Sequence, residues 1–352
     1  MSEKIPVTVL TGYLGAGKTT LLNRILSEPH GRKYAVIVNE FGEIGIDNEL
    51  VVGADEEAFE MNNGCICCTV RGDLIRIIET LMKRKGRFDA IIVETTGLAD
   101  PAPVAQTFFV DQDVGAKARL DAVVTVADAK WLSARLKDAP EAKNQIAFAD
   151  VILLNKTDLV SPAELQAVEA RIRGINPYAT LHKTQNCAIA LDQVLDRGAF
   201  ELDRILEIEP DFLKGGHHHH HHAHDHDCGP GCAHESHHHE HDHGHEHSPA
   251  PIHDAEITSV AFEHKGEMDP DKFMPWINDL VQNEGPNILR SKGILAFKKE
   301  PKRFVFQGVH MILDGDLQRD WKAGEARTSK IVFIGRKLDK AALRAGFMGC
   351  AA

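Results

Sequence analysis

The sequence predicts an α/β protein whose first domain has a mostly parallel β-sheet with helices on both faces. Short runs rich in Val, Ile and Leu alternate with helix-like segments through the first half of the chain. This alternation is typical of parallel sheets connected by right-handed crossovers. The predicted strands cover residues 7–10, 35–38, 90–93, 122–126 and 151–154, and the predicted helices cover residues 18–27 and 73–85.

A second observation is the change of composition at residues 210–252, where His, Asp, Glu and Gly dominate. Such a segment cannot bury enough surface to offset the entropy of ordering, so it predicts a flexible linker. Apolar patterning then resumes, with predicted strands at residues 257–262, 294–297, 303–307 and 331–334 and helices at 274–283 and 340–345. We therefore expect an α/β domain at residues 1–209, a linker at 210–252 and a smaller α+β domain at 253–352.

The charge and hydropathy of the chain exclude several classes of partner. The 352 residues carry a formal net charge of −12, whereas proteins that bind nucleic acids are usually basic. No apolar run approaches the roughly 20 residues that cross a bilayer. The first four residues do not have the layout of a signal peptide. We expect a cytoplasmic protein that binds neither nucleic acid nor membrane.

Residues 12–19 read GYLGAGKT and fit the phosphate-binding pattern G-x-x-x-x-G-K-S/T. A predicted strand precedes this loop and a predicted helix follows it, as a P-loop NTPase domain requires. Backbone amides and the helix N-terminus would face the phosphates, Lys18 would reach the β- and γ-phosphates, and the Thr19 hydroxyl would bind Mg²⁺. The predicted phosphate-binding residues are Gly12, Gly15, Ala16, Gly17, Lys18, Thr19 and Thr20.

A second nucleotide motif follows the predicted strand at residues 151–154 and reads Asn155-Lys156-Thr157-Asp158. In N-K-x-D at a strand end, the Asp158 carboxylate can accept hydrogen bonds from two guanine N–H groups, a donor pair that adenine lacks. The stem of Lys156 can lie over the base. Asn155, Lys156 and Asp158 therefore predict GTP rather than ATP.

Two acidic residues are candidates for the hydrolytic step. Glu94 ends the predicted strand at residues 90–93, and its carboxylate would support Mg²⁺ or the water bound to it. The backbone of Gly97, three residues later, would sense the γ-phosphate. Asp47 lies in a segment suited to a nucleotide switch. The predicted catalytic residues are thus Lys18, Thr19, Asp47 and Glu94.

Cys65, Cys67 and Cys68 place three of the seven cysteines within four residues. In a reducing compartment such clusters favour metal or redox chemistry over disulfides, and thiolates prefer zinc, Cu(I) or iron–sulfur clusters. A redox role and incidental burial are the alternatives. A tetrahedral site needs a further ligand, for which Glu40 is the candidate. A site with so small a number of protein ligands is better suited to a metal ion that exchanges than to one that is bound permanently.

All but five of the 21 histidines lie between residues 217 and 247. Imidazoles with a pKa near 6.5 are mostly neutral at pH 7 and can bind zinc, nickel, cobalt or copper. A flexible chain of such ligands suits the capture of exchanging ions, while a purification tag and a solvated linker are the alternatives. The candidate ligands are His217, His218, His219, His220, His221, His222, His224, His226, Cys228, Cys232 and His234.

Taken together and in this order, the phosphate loop, Gly64-Cys65-Ile66-Cys67-Cys68, Glu94-Thr95-Thr96-Gly97 and Asn155-Lys156-Thr157-Asp158 resemble the CobW-type family of P-loop GTPases. The resemblance covers nearly the whole chain, including Arg290-Ser291-Lys292-Gly293 and Ile334-Gly335. It implies a domain in which the GTP and metal sites communicate. It also implies Cys67, Cys68 and Glu40 as metal ligands with Cys65 nearby, and Glu43 and Asp47 in a switch region.

The family includes zinc-allocation proteins, cobalt-handling proteins of cobalamin synthesis and activators of nitrile hydratases, so the resemblance does not fix the metal. We expect a GTPase, slow without a partner, that delivers zinc to a client metalloprotein and uses GTP, Mg²⁺ and Zn²⁺. Co²⁺ or Ni²⁺ insertion into one metalloenzyme and a non-enzymatic metal store or sensor are the alternatives. A nucleotide-dependent homodimer is compatible with these features.

Overall fold

The computed structural model describes residues 4–29, 31–38, 58–60, 69–83, 88–198, 257–322 and 324–352. Within these residues the chain forms a seven-stranded sheet and a five-stranded sheet, each covered by helices. The predicted α/β and α+β classes are confirmed. The expected boundaries of the linker at residues 210 and 252 lie outside the described residues.

The first sheet is parallel throughout and has the strand order β3-β2-β4-β1-β5-β6-β7. Its strands are β1 (Ile5–Thr11), β2 (Tyr34–Val38), β3 (Ala58–Glu60), β4 (Ala90–Glu94), β5 (Ala118–Asp128), β6 (Val151–Asn155) and β7 (Thr180–Lys183). The helices are α1 (Lys18–Ser27), α2 (Thr69–Met82), α3 (Ala102–Val110), α4 (Gln112–Lys117), α5 (Leu132–Asp138), α6 (Pro140–Phe148) and α7 (Pro162–Ile175).

Both faces of this sheet are buried, which explains why its central strands are continuous apolar runs rather than alternating ones. Successive residues of a strand point to opposite faces, so Ile91 and Val93 of β4 pack in one hydrophobic cluster and Ile92 in another. The first cluster includes side chains of α2, α3, α6 and α7, and the second includes those of α1. The carboxyl ends of the strands therefore meet at one edge between two helical layers.

The C-terminal part is an antiparallel sheet with the order β11-β10-β9-β12-β8. Its core is rich in aromatic rings, among them Phe273, Phe306 and Phe347. The strands are β8 (Ile257–Lys265), β9 (Ile288–Ala296), β10 (Lys302–Val309), β11 (Ile312–Asp320) and β12 (Thr328–Arg336), and the helices are α8 (Pro270–Glu284) and α9 (Lys340–Gly349).

A buried group of charges joins the two parts. Asp150 lies between α6 and β6, and its Oδ1 accepts hydrogen bonds from Arg290 Nη2 at 2.7 Å and Lys292 Nζ at 2.6 Å, both on β9. Its Oδ2 accepts one from the backbone N–H of Val123 on β5 at 2.8 Å. The side chains of Asp150 and Arg290 are each only 3% exposed. The Arg290–Gly293 motif thus docks the C-terminal sheet onto the parallel-sheet domain.

Each predicted element has an observed counterpart, but the predicted strands are shorter than the observed ones, and the strand predicted at residues 294–297 begins six residues earlier, at Ile288. The helix predicted at residues 73–85 begins four residues earlier, at Thr69, because the apolar pattern that marked it starts only at its second turn. β3, β7, β11 and α3 to α7 had not been predicted. Among the described residues, no helix combines the length and the apolar character needed to cross a bilayer.

Candidate functional site

The phosphate loop lies between the end of β1 and the start of α1. Gly17, the residue before the helix, has no side chain that could cap the first amides of α1. Such amides bind anions. Lys18 is buried, and its Nζ donates to the carbonyl of Gly12 at 2.9 Å, which holds the ammonium over the loop. The loop therefore has the form of a phosphate cradle.

Asn155 connects the phosphate loop with the guanine motif. Its Nδ2 donates to the carbonyl of Ala16 at 3.0 Å, and its Oδ1 accepts from Thr184 Oγ1 at 3.1 Å and from the backbone N–H of Cys187 at 2.9 Å. Gly17 packs directly against it, since a Cβ there would lie 2.6 Å from Asn155 Nδ2. With only 2% of Asn155 exposed, its role in this structure is to fix the two loops relative to each other.

Lys156 and Asp158 follow at the carboxyl end of β6. Lys156 has a left-handed backbone (φ 60°), and its Nζ donates to the carbonyl of Gly15 at 2.6 Å and to Asp128 Oδ2 at 2.8 Å. Its stem therefore runs back toward the phosphate loop. Asp158 lies in the 3₁₀ turn Thr157–Leu159 and is exposed. Lys156 can thus cover a base whose N–H groups bind the Asp158 carboxylate.

Glu94 and Gly97 lie on the opposite side of the phosphate loop. Glu94 is buried at the end of β4, in register with Leu10 at the end of β1. Gly97 follows in a turn that touches the loop so closely that a Cβ there would lie 2.6 Å from the backbone nitrogen of Leu14. Thr19, in the first turn of α1, offers a hydroxyl. These hard oxygen donors fit Mg²⁺.

Residues that the sequence analysis missed support the same site. Asp128 ends β5, is buried, and pairs with Lys156 while accepting from the backbone N–H groups of Lys130 and Trp131. An acid at the end of a strand was the available signal for Asp128. Gln145 of α6 donates to two carbonyls of the turn at Gly97, and no local pattern marked it.

Cys187 lies against the phosphate loop, with its Sγ 3.4 Å from the carbonyl oxygen of Gly17. Burial raises the pKa of this thiol to about 11, an effect that the positive charges of Arg24 and Lys156 only partly oppose. Because thiolates are the metal ligands and the nucleophiles, this protonated thiol acts as a packing group.

The predicted metal ligands lie outside the described residues. They comprise Glu40, Cys65, Cys67 and Cys68 together with the ligands between His217 and His234, and the predicted switch residue Asp47 lies outside as well. Within the described parts of the chain, no group of three or more His, Cys, Asp or Glu side chains could hold a metal ion. The nucleotide residues, in contrast, are all described and converge at one edge of the sheet.

Known proteins share both parts of the chain. The nucleotide-binding domain of the CobW/HypB/UreG family matches residues 6–183, and the C-terminal domain of the cobalamin synthesis protein cobW matches residues 257–351. The zinc chaperone YjiA of Escherichia coli K12 is 32% identical over 350 residues, 98% of each chain. The zinc-regulated GTPase metalloprotein activator 1 of Schizosaccharomyces pombe is 34% identical over 330 residues, 89% of this chain and 77% of the relative.

A solved structure agrees with the fold of both parts. The crystal structure of the Zn(II)-bound YjiA GTPase from E. coli matches with a TM-score of 0.71 at 28% identity, over 99% of this chain and 100% of that one. The phosphate loop, the Glu94–Gly97 turn and the guanine motif lie within residues 6–183, and the five-stranded sheet within residues 257–351. The chain therefore belongs to the CobW/HypB/UreG family of P-loop nucleotide-binding proteins.

Proposed function

We propose that this protein binds and hydrolyses GTP and uses the nucleotide cycle to deliver zinc to a client metalloprotein. One observation carries the proposal: the nucleotide residues meet at the edge where the chain leaves β2 toward the thiol motif. Val38, the last residue of β2, is in register with Glu94. Glu40 follows Val38 by two residues, and α2 begins at Thr69, directly after Cys68 in sequence.

The described residues have separate roles in GTP hydrolysis under this proposal. Lys18 and the loop amides stabilise the negative charge that develops on the β- and γ-phosphates. Thr19 and Glu94 would hold Mg²⁺, which would neutralise phosphate charge. Asp158 selects guanine through its exposed carboxylate, and Gly97 senses the γ-phosphate. Glu43 and Asp47 would form the switch.

Zinc is the proposed cargo rather than a resident cofactor. The thiols of Cys65, Cys67 and Cys68 with the carboxylate of Glu40 form a donor set that suits Zn²⁺, and the histidines at residues 217–247 would collect ions for it. Two relatives support the choice, since one is named a zinc chaperone and the other a zinc-regulated metalloprotein activator. The reducing cytosol would keep these thiols free to exchange metal.

A surface for the client lies next to the nucleotide residues. Leu14 and Trp131 line one cleft, and Leu98 follows Gly97, on which Leu14 packs. These three side chains are between 49% and 59% exposed. Exposed apolar side chains close to one another are typical of sites where proteins interact. We propose that the client binds here in the GTP-bound state. Light scattering with a non-hydrolysable GTP analogue tests whether a second copy of the chain binds here instead. Dimerisation would double the mass in the absence of a client, whereas a client-binding surface leaves the protein monomeric.

The proposal predicts that zinc transfer follows the nucleotide that the guanine site accepts. Loaded with zinc and mixed with a chromogenic chelator, the protein transfers zinc faster with GTP than with GDP. In Asp158→Asn, loss of two hydrogen bonds to a charged group lowers GTP affinity about 100-fold. Xanthine carries a carbonyl where guanine has its amino group. The side-chain amide introduced by Asp158→Asn can donate a hydrogen bond to this carbonyl, so XTP restores the transfer.

The exposed Asp138, at the end of α5, supplies the matched control. Asp138→Asn keeps the response to GTP and gains none to XTP. The double variant Cys67→Ser/Cys68→Ser hydrolyses GTP but has no zinc to transfer from the thiol site. Equal transfer with GTP, GDP and no nucleotide contradicts the delivery function and favours a metal store. Cobalt or nickel transfer in preference to zinc under metal competition favours the insertion GTPase.

A further inference from the structure

The turn that follows Glu94 is held from outside by α6. Gln145 is 1% exposed, and its Nε2 donates to the carbonyls of Gly97 at 3.1 Å and Ala99 at 3.2 Å. The backbone carbonyl of Gln145 accepts from Thr125 Oγ1 on β5 at 2.8 Å. The side chain of Gln145 therefore holds two carbonyls of the turn, while its backbone is bound to the sheet.

Asn144, the neighbour of Gln145, extends this contact to Asp100 at the end of the turn. Its Nδ2 donates to Asp100 Oδ2 at 2.8 Å, while Asp100 Oδ1 accepts from the backbone N–H of Ala102 in α3. The other side of the Asn144 amide, its Oδ1, accepts from Arg336 Nη2 at 2.6 Å. Arg336 is the last residue of β12, in the C-terminal domain.

Two hydrogen bonds thus connect the C-terminal sheet with the turn that packs on the phosphate loop. They run from Arg336 through Asn144 to Asp100, and Gly97 at the other end of the same turn packs on Leu14. Close to these bonds, the ion pairs of Asp150, two residues after α6, hold the C-terminal sheet against the first domain. A shift of β12 must therefore move Asn144 or break its bond to Arg336.

We infer that Asn144 and Gln145 are positioning residues for the γ-phosphate-sensing turn and that Arg336 makes this turn dependent on the C-terminal domain. The inference rests on the proposed GTPase function. GDP lacks the group that the turn senses, so a loosened turn weakens binding of GTP while binding of GDP is unchanged. A merely structural role would weaken both nucleotides alike. The C-terminal domain is then a part through which a bound client can alter hydrolysis.

The full-length variants Arg336→Ala and Asn144→Ala test this dependence by titration with GDP and with a non-hydrolysable GTP analogue. Arg336→Ala lowers affinity for the analogue about fivefold, as expected for one lost hydrogen bond, and Asn144→Ala, which loses its bonds to both Arg336 and Asp100, lowers it at least as much. Both variants leave affinity for GDP within twofold of the wild type. The double variant loses no more than Asn144→Ala, because both changes break the same connection. Gln145→Ala, which frees two carbonyls, shows the larger loss and a lower kcat.

Gln106→Ala is the matched control, since Gln106 Nε2 also bonds across the domains, to the carbonyl of Val309, without touching the turn. It keeps the wild-type ratio of analogue to GDP affinity. An unchanged ratio in both Arg336→Ala and Asn144→Ala overturns the inference, as does an equal loss of both nucleotides. A wild-type protein that binds no GTP overturns the proposed function instead, so the two failures are distinct.

Discussion

Lys18→Ala lowers GTP turnover by about 1,000-fold, the upper range for removing one group that stabilises transition-state charge. The Lys18 ammonium is buried over the phosphate loop and held by the carbonyl of Gly12 at 2.9 Å. It is therefore in place before the phosphates bind and needs little reorganisation during the reaction. Phosphate release with saturating GTP and Mg²⁺ measures the loss.

Two controls separate chemistry from folding in this experiment. Lys137→Ala removes an exposed lysine of α5 and keeps wild-type turnover. Lys18→Arg retains the charge but not the compact ammonium, so it remains strongly impaired. Lys18→Ala should melt within a few degrees of the wild type, since the Lys18 ammonium donates to Gly12 of the same loop. Wild-type turnover in Lys18→Ala would show that hydrolysis occurs elsewhere or comes from a contaminant.

Asp150→Ala destabilises the folded protein by about 3–5 kcal/mol, because it removes the buried carboxylate that pairs with Arg290 and Lys292. The Asp150 carboxylate accepts from Arg290, Lys292 and the backbone of Val123 at 2.6 to 2.8 Å. Urea unfolding at neutral pH measures the change in the free energy of unfolding. Asp138→Ala, which removes an exposed carboxylate at the end of α5, changes it by no more than about 0.5 kcal/mol.

The ion pairs of Asp150 with Arg290 and Lys292 also predict how stability depends on pH. Burial alone would raise the pKa of Asp150, but the charges of Arg290 and Lys292 outweigh burial and hold it below the ordinary value of 3.8. A depressed pKa means that the ionised carboxylate stabilises the fold above pH 3.8 and that this contribution disappears as the pH falls through the folded-state pKa. The difference between wild type and Asp150→Ala is therefore constant near neutrality and shrinks only in strong acid. A difference that grows on acidification contradicts this account of the ion pair.

Local patterns in the sequence were sufficient to predict the nucleotide site, because its residues follow strand ends in short motifs. Glu94 and Asp158 come within four residues of an apolar run that forms a strand, and Lys18 lies at the other end of the loop that follows β1. The carboxyl ends of parallel strands share one edge, so separate motifs were expected to meet. The prediction of a parallel sheet was thus also a prediction of the site.

The residues that the sequence analysis missed act through tertiary contacts. Gln145 and Asn144 lie in α6, whose Lys-Asn-Gln sequence has no local feature that distinguishes it from an exposed helix. Their importance arises only when α6 is packed between the turn at Gly97 and Arg336. β11 was missed for another reason: its sequence ILDGDLQRD is largely polar because it forms one edge of the sheet.

The reciprocal effect of zinc and nucleotide on each other's affinity tests the central claim most directly. Zinc affinity is measured by chelator competition with GDP and with a non-hydrolysable GTP analogue, and the affinities of both nucleotides are measured with and without zinc. The first measurement gives the ratio of zinc affinity with the GTP analogue to zinc affinity with GDP. The second gives the factor by which zinc changes the ratio of analogue affinity to GDP affinity. The claim predicts that both have the same value, about 5 to 150. A factor of one in both measurements would contradict communication between the sites and leave a GTPase with an independent metal-binding segment.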